Sequence, residues 1–294
     1  ITALGYASED RHFAESWGGF GIREHVIGKG IVRFHAIYWP AILLSAGLSL
    51  PTRILVHGYV TAEGQKISKS SGNAVEPAPV AEEFGVDALR YYLLRHVRPF
   101  ADGDFSHERC AQAYRSELAD QLGNLTQRTL NMIARYCAGT IPAPSGTHWR
   151  EDPLARRALQ LRRVVFDRYR SYEFNGALDE VWAVIADANR YVSATEPWRL
   201  AKLAAAGDQQ ATQELHDCLF TLSVALSAVA DSIAPALPET ARTLSGKIGL
   251  KGGINEDVEN LAGLTVEAET QLFPKRLTSL SPNVVEAGCF RSGS

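Results

Sequence analysis

Two lysines and two serines lie close together between residues 66 and 70, in the order Lys66-Ile67-Ser68-Lys69-Ser70. Lysines three residues apart in a flexible loop can bring two ammonium groups to one anion, and serine hydroxyls and backbone N–H groups add further donors. A nucleotide triphosphate, from which negatively charged pyrophosphate departs, suits this chemistry. The segment lacks the Gly-x-x-x-x-Gly-Lys-Ser order of a P-loop, and a short lysine–serine run is by itself typical of a solvated turn.

The elements before this loop give it a context. Residues 24–27 predict a short strand, and the apolar run at 54–56 predicts a second one; the glycine-rich residues 28–30 follow the first of them. Between them, residues 31–45 predict a helix with a kink or an end near Trp39, because proline at position 40 lacks a backbone N–H group. Strand, glycine loop, helix and strand in this order are typical of a parallel βαβ unit.

The rest of the chain changes character twice. We predict a turn at 61–64, a polar loop from residue 65 to 73 and short helices at 79–84 and 86–97. From residue 107 to 245 apolar side chains recur every three or four residues, which predicts an antiparallel helix bundle. Residues 275–294 carry no periodicity and predict a mobile tail. These changes suggest units at 1–60, 61–106, 107–246 and 247–294.

Composition excludes several classes of protein. Of the 294 residues 46% are apolar and 21% are charged, which is typical of globular domains rather than disordered chains. The net charge of −3 means that any contact with nucleic acid must come from a local patch. The four cysteines form no Cys-x-x-Cys pair, so we expect no cysteine zinc site, no disulfide framework and a reducing, cytoplasmic location. No apolar run reaches the ~20 residues of a membrane helix, so we expect no membrane partner.

Several ordered blocks resemble class I aminoacyl-tRNA synthetases, and specifically methionyl-tRNA synthetases. The blocks, which together cover roughly residues 1–240, are Gly28 to Ala41, His57 to Val60, Lys66 to Asn73, Asp87 to Tyr92, Glu117 to Leu125 and Glu196-Pro197-Trp198. The resemblance implies an α/β remnant of a Rossmann-type catalytic domain, followed by an all-α anticodon-binding helix bundle.

The resemblance also assigns the nucleotide site. The loop at 66–70 matches the second signature of class I synthetases, in which Lys69, assisted by Lys66, would stabilise charge developing on pyrophosphate. ATP would enter with Mg²⁺. The residues implied to border ATP are Gly28, His57, Gly58, Ser68, Lys69 and Ser70.

His35 and Trp39 are four residues apart and therefore share one helix face. This spacing by itself favours ordinary core packing. The resemblance instead implies that the two close the pocket around the methionine side chain, with Ile31 adding an apolar wall. Aromatic edges suit a polarizable thioether.

Asn124 and Arg128 are likewise four residues apart on one helix face, and Trp198 follows a proline near a predicted helix start. Single-stranded RNA can be bound by such a set: the asparagine can hydrogen-bond base edges, the arginine can contact a phosphate or a base, and the indole can stack on a base. The resemblance implies that the three bind the anticodon. The spacing itself is equally consistent with surface polar residues and a core tryptophan, since only the fold could bring Arg128 and Trp198 together.

The resemblance implies the C-terminal part of a methionine–tRNA ligase that uses L-methionine, ATP and methionine tRNA. The first signature motif, and zinc if any, would belong to an N-terminal half that is missing here and could be a separate chain. Gly30 stands where the family has an aspartate, which removes an expected carboxylate. Two alternatives stay open: a non-catalytic tRNA-binding module or inactive paralogue, and a class I synthetase for valine, isoleucine, leucine or cysteine, against which residues 34–40 argue.

Overall fold

The computed structural model describes residues 23–62, 64–66, 76–250 and 258–274. Within them the chain begins with strand β1 (Glu24–Gly28), which pairs in parallel with strand β2 (Arg53–His57). The register places Gly28 beside His57 at the carboxyl ends of both strands. The predicted strands and their parallel pairing are therefore confirmed.

The connection between β1 and β2 is helical but irregular. A 3₁₀ turn (Lys29–Ile31) and a π-helix (Phe34–Tyr38) lead into helix α1 (Trp39–Ser45). The backbone N–H of Trp39 donates to the carbonyl of Phe34, five residues earlier, so the wide turn directly precedes the proline at position 40. The predicted discontinuity near Trp39 is thus a change of helix type, because the wider turn accommodates a residue without an N–H group.

The helical connection presents apolar side chains to solvent. Only Leu43 of α1 is buried. Phe34, Ile37 and Leu44 have exposed fractions of 58%, 59% and 64%. The apolar periodicity that predicts this helix therefore marks a surface that the described part of the chain leaves uncovered.

A second, three-stranded sheet follows. Strand β3 (Val60–Ala62) lies between the antiparallel strand β4 (Gln65–Lys66) and the parallel strand β5 (Gly103–Phe105). Our prediction of a turn at 61–64 and a loop at 65–73 is wrong at residues 61, 62, 65 and 66, which lie in strands. Gly64, with φ of +76°, is in a turn as predicted, and residues 63 and 67–73 lie outside the described residues. Pairing with β5, about 40 residues later, extends this segment and cannot be read from local sequence.

Helices α2 (Pro77–Phe84) and α3 (Val86–His96) match the two short helices predicted here. The second of them docks on the helical part of the chain. Arg90 Nε donates to the carbonyl of Ala236 at 2.8 Å, and the Tyr91 hydroxyl hydrogen-bonds the Glu117 carboxylate. These contacts attach α3 to the helical part of the chain.

The helical part follows the predicted apolar stripes. Its elements are α4 (His107–Ala113), a π-helix (Tyr114–Gly123), α5 (Asn124–Tyr136), a 3₁₀ turn (His148–Glu151), α6 (Pro153–Arg170), α7 (Phe174–Thr195), α8 (Pro197–Ala205), α9 (Gln209–Ile233) and α10 (Pro238–Lys247). The leucine stripe of α9 from Leu215 to Leu226 is buried at the centre, packed between α6, α7, α8 and α10. Asp152 begins α6 by accepting a hydrogen bond from the Leu154 N–H at 2.7 Å.

Helix α9 is long and apolar enough to cross a membrane, and it is the one such helix in the described ranges. Most of its apolar stretch is buried against neighbouring helices, as in the core helix of a bundle.

Residues 258–274 run back along the bundle and form what we call the C-terminal strap. Thr265 bridges to Thr140, and the strap's Phe273 ring is buried beside Gly123. The ammonium of Lys247, which is only 3% exposed, donates to the carbonyl of Thr270 at 2.6 Å. The predicted tail at 275–294 lies outside the described residues.

Candidate functional site

The predicted nucleotide side of the site begins where two parallel strands end. Ligands of open α/β sheets bind at this edge, where loops diverge from the strands. A Cβ atom on Gly28 would lie 3.6 Å from the His57 ring, so the glycine keeps the approach to the imidazole open. The exposed His57 donates through Nδ1 to the carbonyl of Gly58 at 2.8 Å, which orients the ring.

Gly58 is buried under the loop that precedes β5. A Cβ atom here would overlap the carbonyl of Ala101 and lie 2.7 Å from the Asp102 nitrogen. The Gly58 N–H donates to the carbonyl of Pro99 at 3.2 Å. The glycine is therefore required for close backbone packing, a reason that the sequence did not reveal.

An open groove of about 250 Å³ adjoins these residues, lined by Lys29, Val56, His57, Gly58, Phe100, Ala101 and Asp102. Sequence reasoning missed Asp102, whose carboxylate accepts from Lys29 Nζ at 2.7 Å and from the Tyr59 N–H at 2.8 Å. These two hydrogen bonds lower the pKa of Asp102. No local signal could have found this pair, since 73 residues separate its members.

The side chain of Tyr59 occupies the space beside Gly30. A Cβ atom at this position would come within 2.5 Å of the Tyr59 hydroxyl oxygen. The Lys29 ammonium lies 4.7 Å from the centre of the Tyr59 ring. A side chain at position 30, including the aspartate of the family pattern, therefore requires Tyr59 to move.

The predicted amino-acid pocket contains a third aromatic residue. Trp39 Nε1 donates to His25 Nε2 at 3.3 Å, and the His25 and His35 rings are 5.9 Å apart. Burial, and secondly the charge of His35, lower the pKa of His25. Neutral His25 can accept through Nε2, as the contact with Trp39 requires.

All three rings of this cluster are half-buried, and His35 Nδ1 donates to the carbonyl of Ile31 at 3.0 Å. The Ile31 side chain is 45% exposed. The structure thus brings His35 and Trp39 onto one face and adds His25 from β1, which the sequence did not single out.

Ser68, Lys69 and Ser70 lie outside the described residues, as does the side chain of Lys66, so their predicted role stays a prediction. The structure describes the strands that lead into this segment. Asp104 accepts from Thr61 Oγ1 at 2.6 Å and from the Gly64 N–H at 2.7 Å, and these bonds lower its pKa. The hairpin that leads into the lysine–serine segment is therefore tied to β5.

A second groove, of about 310 Å³, lies on the helical part of the chain. It brings together Arg128 of α5 and Trp198 of α8, although 70 positions separate them in sequence. Both side chains are exposed, Trp198 to 43%, so this indole is not a core residue. Asn124 is exposed one turn earlier on α5 and borders a separate, smaller cavity with residues 271–273 of the C-terminal strap.

Sequence reasoning missed three further polar or aromatic residues of this second groove, namely Asn131, Arg135 and Tyr136. The signal was available, because positions 124, 128, 131 and 135 follow the spacing of one helix face. The Arg135 guanidinium also lies 5.7 Å from the centre of the Tyr136 ring. In the described ranges, no cluster of three or more His, Cys, Asp or Glu side chains could hold a metal ion.

Comparison with known proteins identifies relatives along most of the chain. The family model of class I tRNA synthetases (M) matches residues 1–130. Methionine–tRNA ligase of Caldanaerobacter subterraneus is 39% identical over 251 residues, which are 85% of this chain and 38% of that protein. Methionine–tRNA ligase of Brucella suis is 36% identical over 283 residues, which are 94% of this chain and 52% of that protein.

A solved structure agrees with these relatives. Mycobacterium tuberculosis methionyl-tRNA synthetase bound by methionyl-adenylate superposes with a TM-score of 0.80 at 33% identity, over 91% of this chain and 52% of that one. The chain spans about two fifths to one half of the length of the relatives that it matches. Over the stretch that they share, the chain is similar to methionyl-tRNA synthetases, and its residues 1–130 match the model of class I tRNA synthetases (M).

Proposed function

We propose that this chain is the C-terminal part of a methionine–tRNA ligase. In that reaction the methionine carboxylate attacks the α-phosphorus of ATP, pyrophosphate leaves, and a hydroxyl of the terminal adenosine of methionine tRNA then displaces AMP. The proposal rests on two features that occur in the same chain. One is an opening at the carboxyl ends of two parallel strands, and the other is an arginine–tryptophan groove on a helix bundle. A nucleotide enzyme that also binds RNA needs both.

The nucleotide role rests on the first groove. Gly28 and His57 leave open the strand edge where α/β sheets bind nucleotides. The hairpin rooted at Asp104 leads directly to the segment that contains Lys66, Ser68, Lys69 and Ser70. In the proposed reaction Lys69, with Lys66, places positive charge beside the departing pyrophosphate, and Mg²⁺ accompanies ATP as part of the substrate. We propose that Gly58 contributes backbone to the ATP site.

The methionine role rests on the cluster of His25, His35 and Trp39. Aromatic edges attract a thioether sulfur at distances near ~5 Å. The hydrogen bond from Trp39 to His25 fixes the indole plane, so the pocket wall is set before the substrate arrives. The exposed Ile31 supplies apolar surface one turn away.

The RNA role rests on the second groove. Trp198 offers a stacking surface, Arg128 a fixed positive charge, and Asn124 an amide on the same face of α5. Single-stranded RNA is read by stacking on aromatic rings and by hydrogen bonds to the edges of splayed bases. The acidic net charge is compatible with this, since a few contacts in a loop carry the recognition.

The uncovered surface of the first unit supports the view that this is part of a larger catalytic domain. Val26 of β1 is 63% exposed, like the apolar side chains of the connection to β2. An exposed apolar patch of this kind marks an interface. We propose that the remainder of the nucleotide-binding sheet covers it, either within a longer chain or as a separate N-terminal half.

Methionine-dependent exchange of pyrophosphate into ATP tests the catalytic proposal. We expect no exchange by the 294-residue chain and restored exchange when an N-terminal half is supplied. In the complemented enzyme Lys69→Met should abolish exchange, whereas Lys202→Met, at an exposed lysine of α8, should not. Exchange driven better by valine, isoleucine, leucine or cysteine than by methionine would contradict the substrate assignment.

A second candidate function is a non-catalytic tRNA-binding module or inactive paralogue. Gly30 and the Tyr59 hydroxyl beside it favour this candidate, because the carboxylate of the family pattern is missing. Binding of methionine tRNA that persists while the complemented enzyme stays inactive would support it.

The three described cysteines, Cys110, Cys137 and Cys218, are not in disulfide bonds, in keeping with the reducing compartment that we propose for either function.

A further inference from the structure

The second groove contains an asparagine whose amide is held in one orientation by the C-terminal strap. Gln127, half-buried on α5, donates through Nε2 to the carbonyl of Ala268 in the strap at 2.6 Å. The same Nε2 lies 3.1 Å from the side-chain oxygen of Asn131. The chain of contacts therefore runs from the strap, through Gln127, to a residue that lines the groove with Arg128 and Trp198.

The first of these contacts decides the orientation of both amides. A backbone carbonyl can only accept a hydrogen bond, so the Gln127 atom that faces Ala268 must be its NH₂ group. Because that NH₂ group has two hydrogens, the second is available to Asn131, whose facing atom must then be the oxygen. The ambiguity between O and N that affects most amides is removed here by the backbone acceptor.

The consequence is a fixed chemical character for Asn131. Its oxygen is occupied by Gln127, and no acceptor in the described part of the chain takes a hydrogen bond from its NH₂ group. Asn131 is exposed, and it offers two donors to the groove that Arg128 and Trp198 also line. Such a group pairs with an acceptor on a base edge and excludes a base that presents a donor there.

We infer that Asn131 reads an acceptor atom of one anticodon base and that Gln127 is a positioning residue, held by the strap, which sets this preference. The inference rests on the proposed anticodon role of Arg128 and Trp198. It adds a base-selecting contact at a position outside the three residues that the family resemblance implies. It also gives the C-terminal strap a part in RNA selectivity.

The test is binding of a synthetic anticodon stem–loop of methionine tRNA to the full chain, with each anticodon base varied in turn, followed by fluorescence anisotropy. Asn131→Ala should lower discrimination at one anticodon position about five- to tenfold, the worth of one hydrogen bond. The slope of affinity against salt should not change, because no phosphate contact is removed.

The variant Gln127→Glu tests whether Gln127 orients the Asn131 amide or only supports the fold. A carboxylate can only accept, so it should turn the Asn131 amide and present the carbonyl oxygen to the groove. The preference at that one anticodon position should then shift toward a base with a donor, an outcome that loss of structure cannot produce. Gln210→Glu is the matched control, since Gln210 is an exposed amide that also donates to the side chain four residues later, on α9.

Two results would overturn the inference. Unchanged base discrimination in Asn131→Ala is one, and a Gln127→Glu variant that shows the parent preference is the other. The variants Arg128→Ala and Trp198→Ala distinguish failure of this inference from failure of the proposed anticodon-binding function. If they weaken binding while the Asn131 variant does not change it, only the inference falls. If all of them bind as the parent does, the anticodon groove itself is refuted.

Discussion

Gly58→Ala probes the packing that shapes the proposed nucleotide groove. The added Cβ would overlap the Ala101 carbonyl and approach the Asp102 nitrogen to 2.7 Å, against backbone atoms that cannot rotate away. The loop at 99–103 would have to retreat by about 1 Å, and overpacking of this kind costs about 1–3 kcal/mol. Retreat also strains the hydrogen bond from the Tyr59 N–H to the Asp102 carboxylate.

We therefore expect the free energy of unfolding to fall by about 1–3 kcal/mol, measured by urea denaturation. The loss should be local, so amide hydrogen exchange at residues 58–62 and 99–105 should accelerate more than exchange in α9. In the complemented enzyme the same change should raise the KM for ATP, because Ala101 and Asp102 line the groove.

Gly146→Ala is the matched control. A Cβ at Gly146 meets nothing within 4 Å, so the substitution should alter the free energy of unfolding by less than about 1 kcal/mol. The reasoning is refuted if Gly58→Ala and Gly146→Ala have equal effects, or if exchange accelerates in the bundle and not beside the groove.

Three further outcomes are expected. The pKa of His25 is lowered from the ordinary value of 6.5, so its neutral form stabilises the fold above this pH and the stabilisation is lost as the pH falls below it. His25→Gln should therefore flatten the decline of unfolding free energy between about pH 7 and about pH 5. Gly30→Asp should destabilise the parent more than it destabilises Tyr59→Phe, since the hydroxyl oxygen is the nearest obstacle, and urea denaturation of the double-mutant cycle measures that coupling. Lys247→Met should lower the unfolding free energy by about 1.5–3 kcal/mol and free the C-terminal strap to limited proteolysis; an unchanged cleavage rate would contradict the anchoring role of the ammonium.

Local sequence was sufficient for β1, β2 and the helices, but not for the strands β3, β4 and β5 of the second sheet. The apolar runs at β1 and β2, the proline at position 40 and the stripe of α9 each act through backbone chemistry or through periodicity within a few residues. The ordered motifs were sufficient to predict the similarity to methionyl-tRNA synthetases, because each block reflects a separate local requirement. The roles of Lys66, Lys69, Ser68 and Ser70 stay predictions, since the side chain of Lys66 and residues 68–70 lie outside the described residues.

Tertiary structure decided the neighbours of these elements. Lys29 contacts Asp102 and Gln127 contacts Ala268 across separations of 73 and 141 residues, and Arg128 and Trp198, which are 70 residues apart, line one groove. The physical reason is that a hydrogen-bond partner, or the covering of an apolar face, depends on chain segments brought together by packing. A helical repeat specifies which side chains share a face, and only the packed neighbours determine what that face contacts.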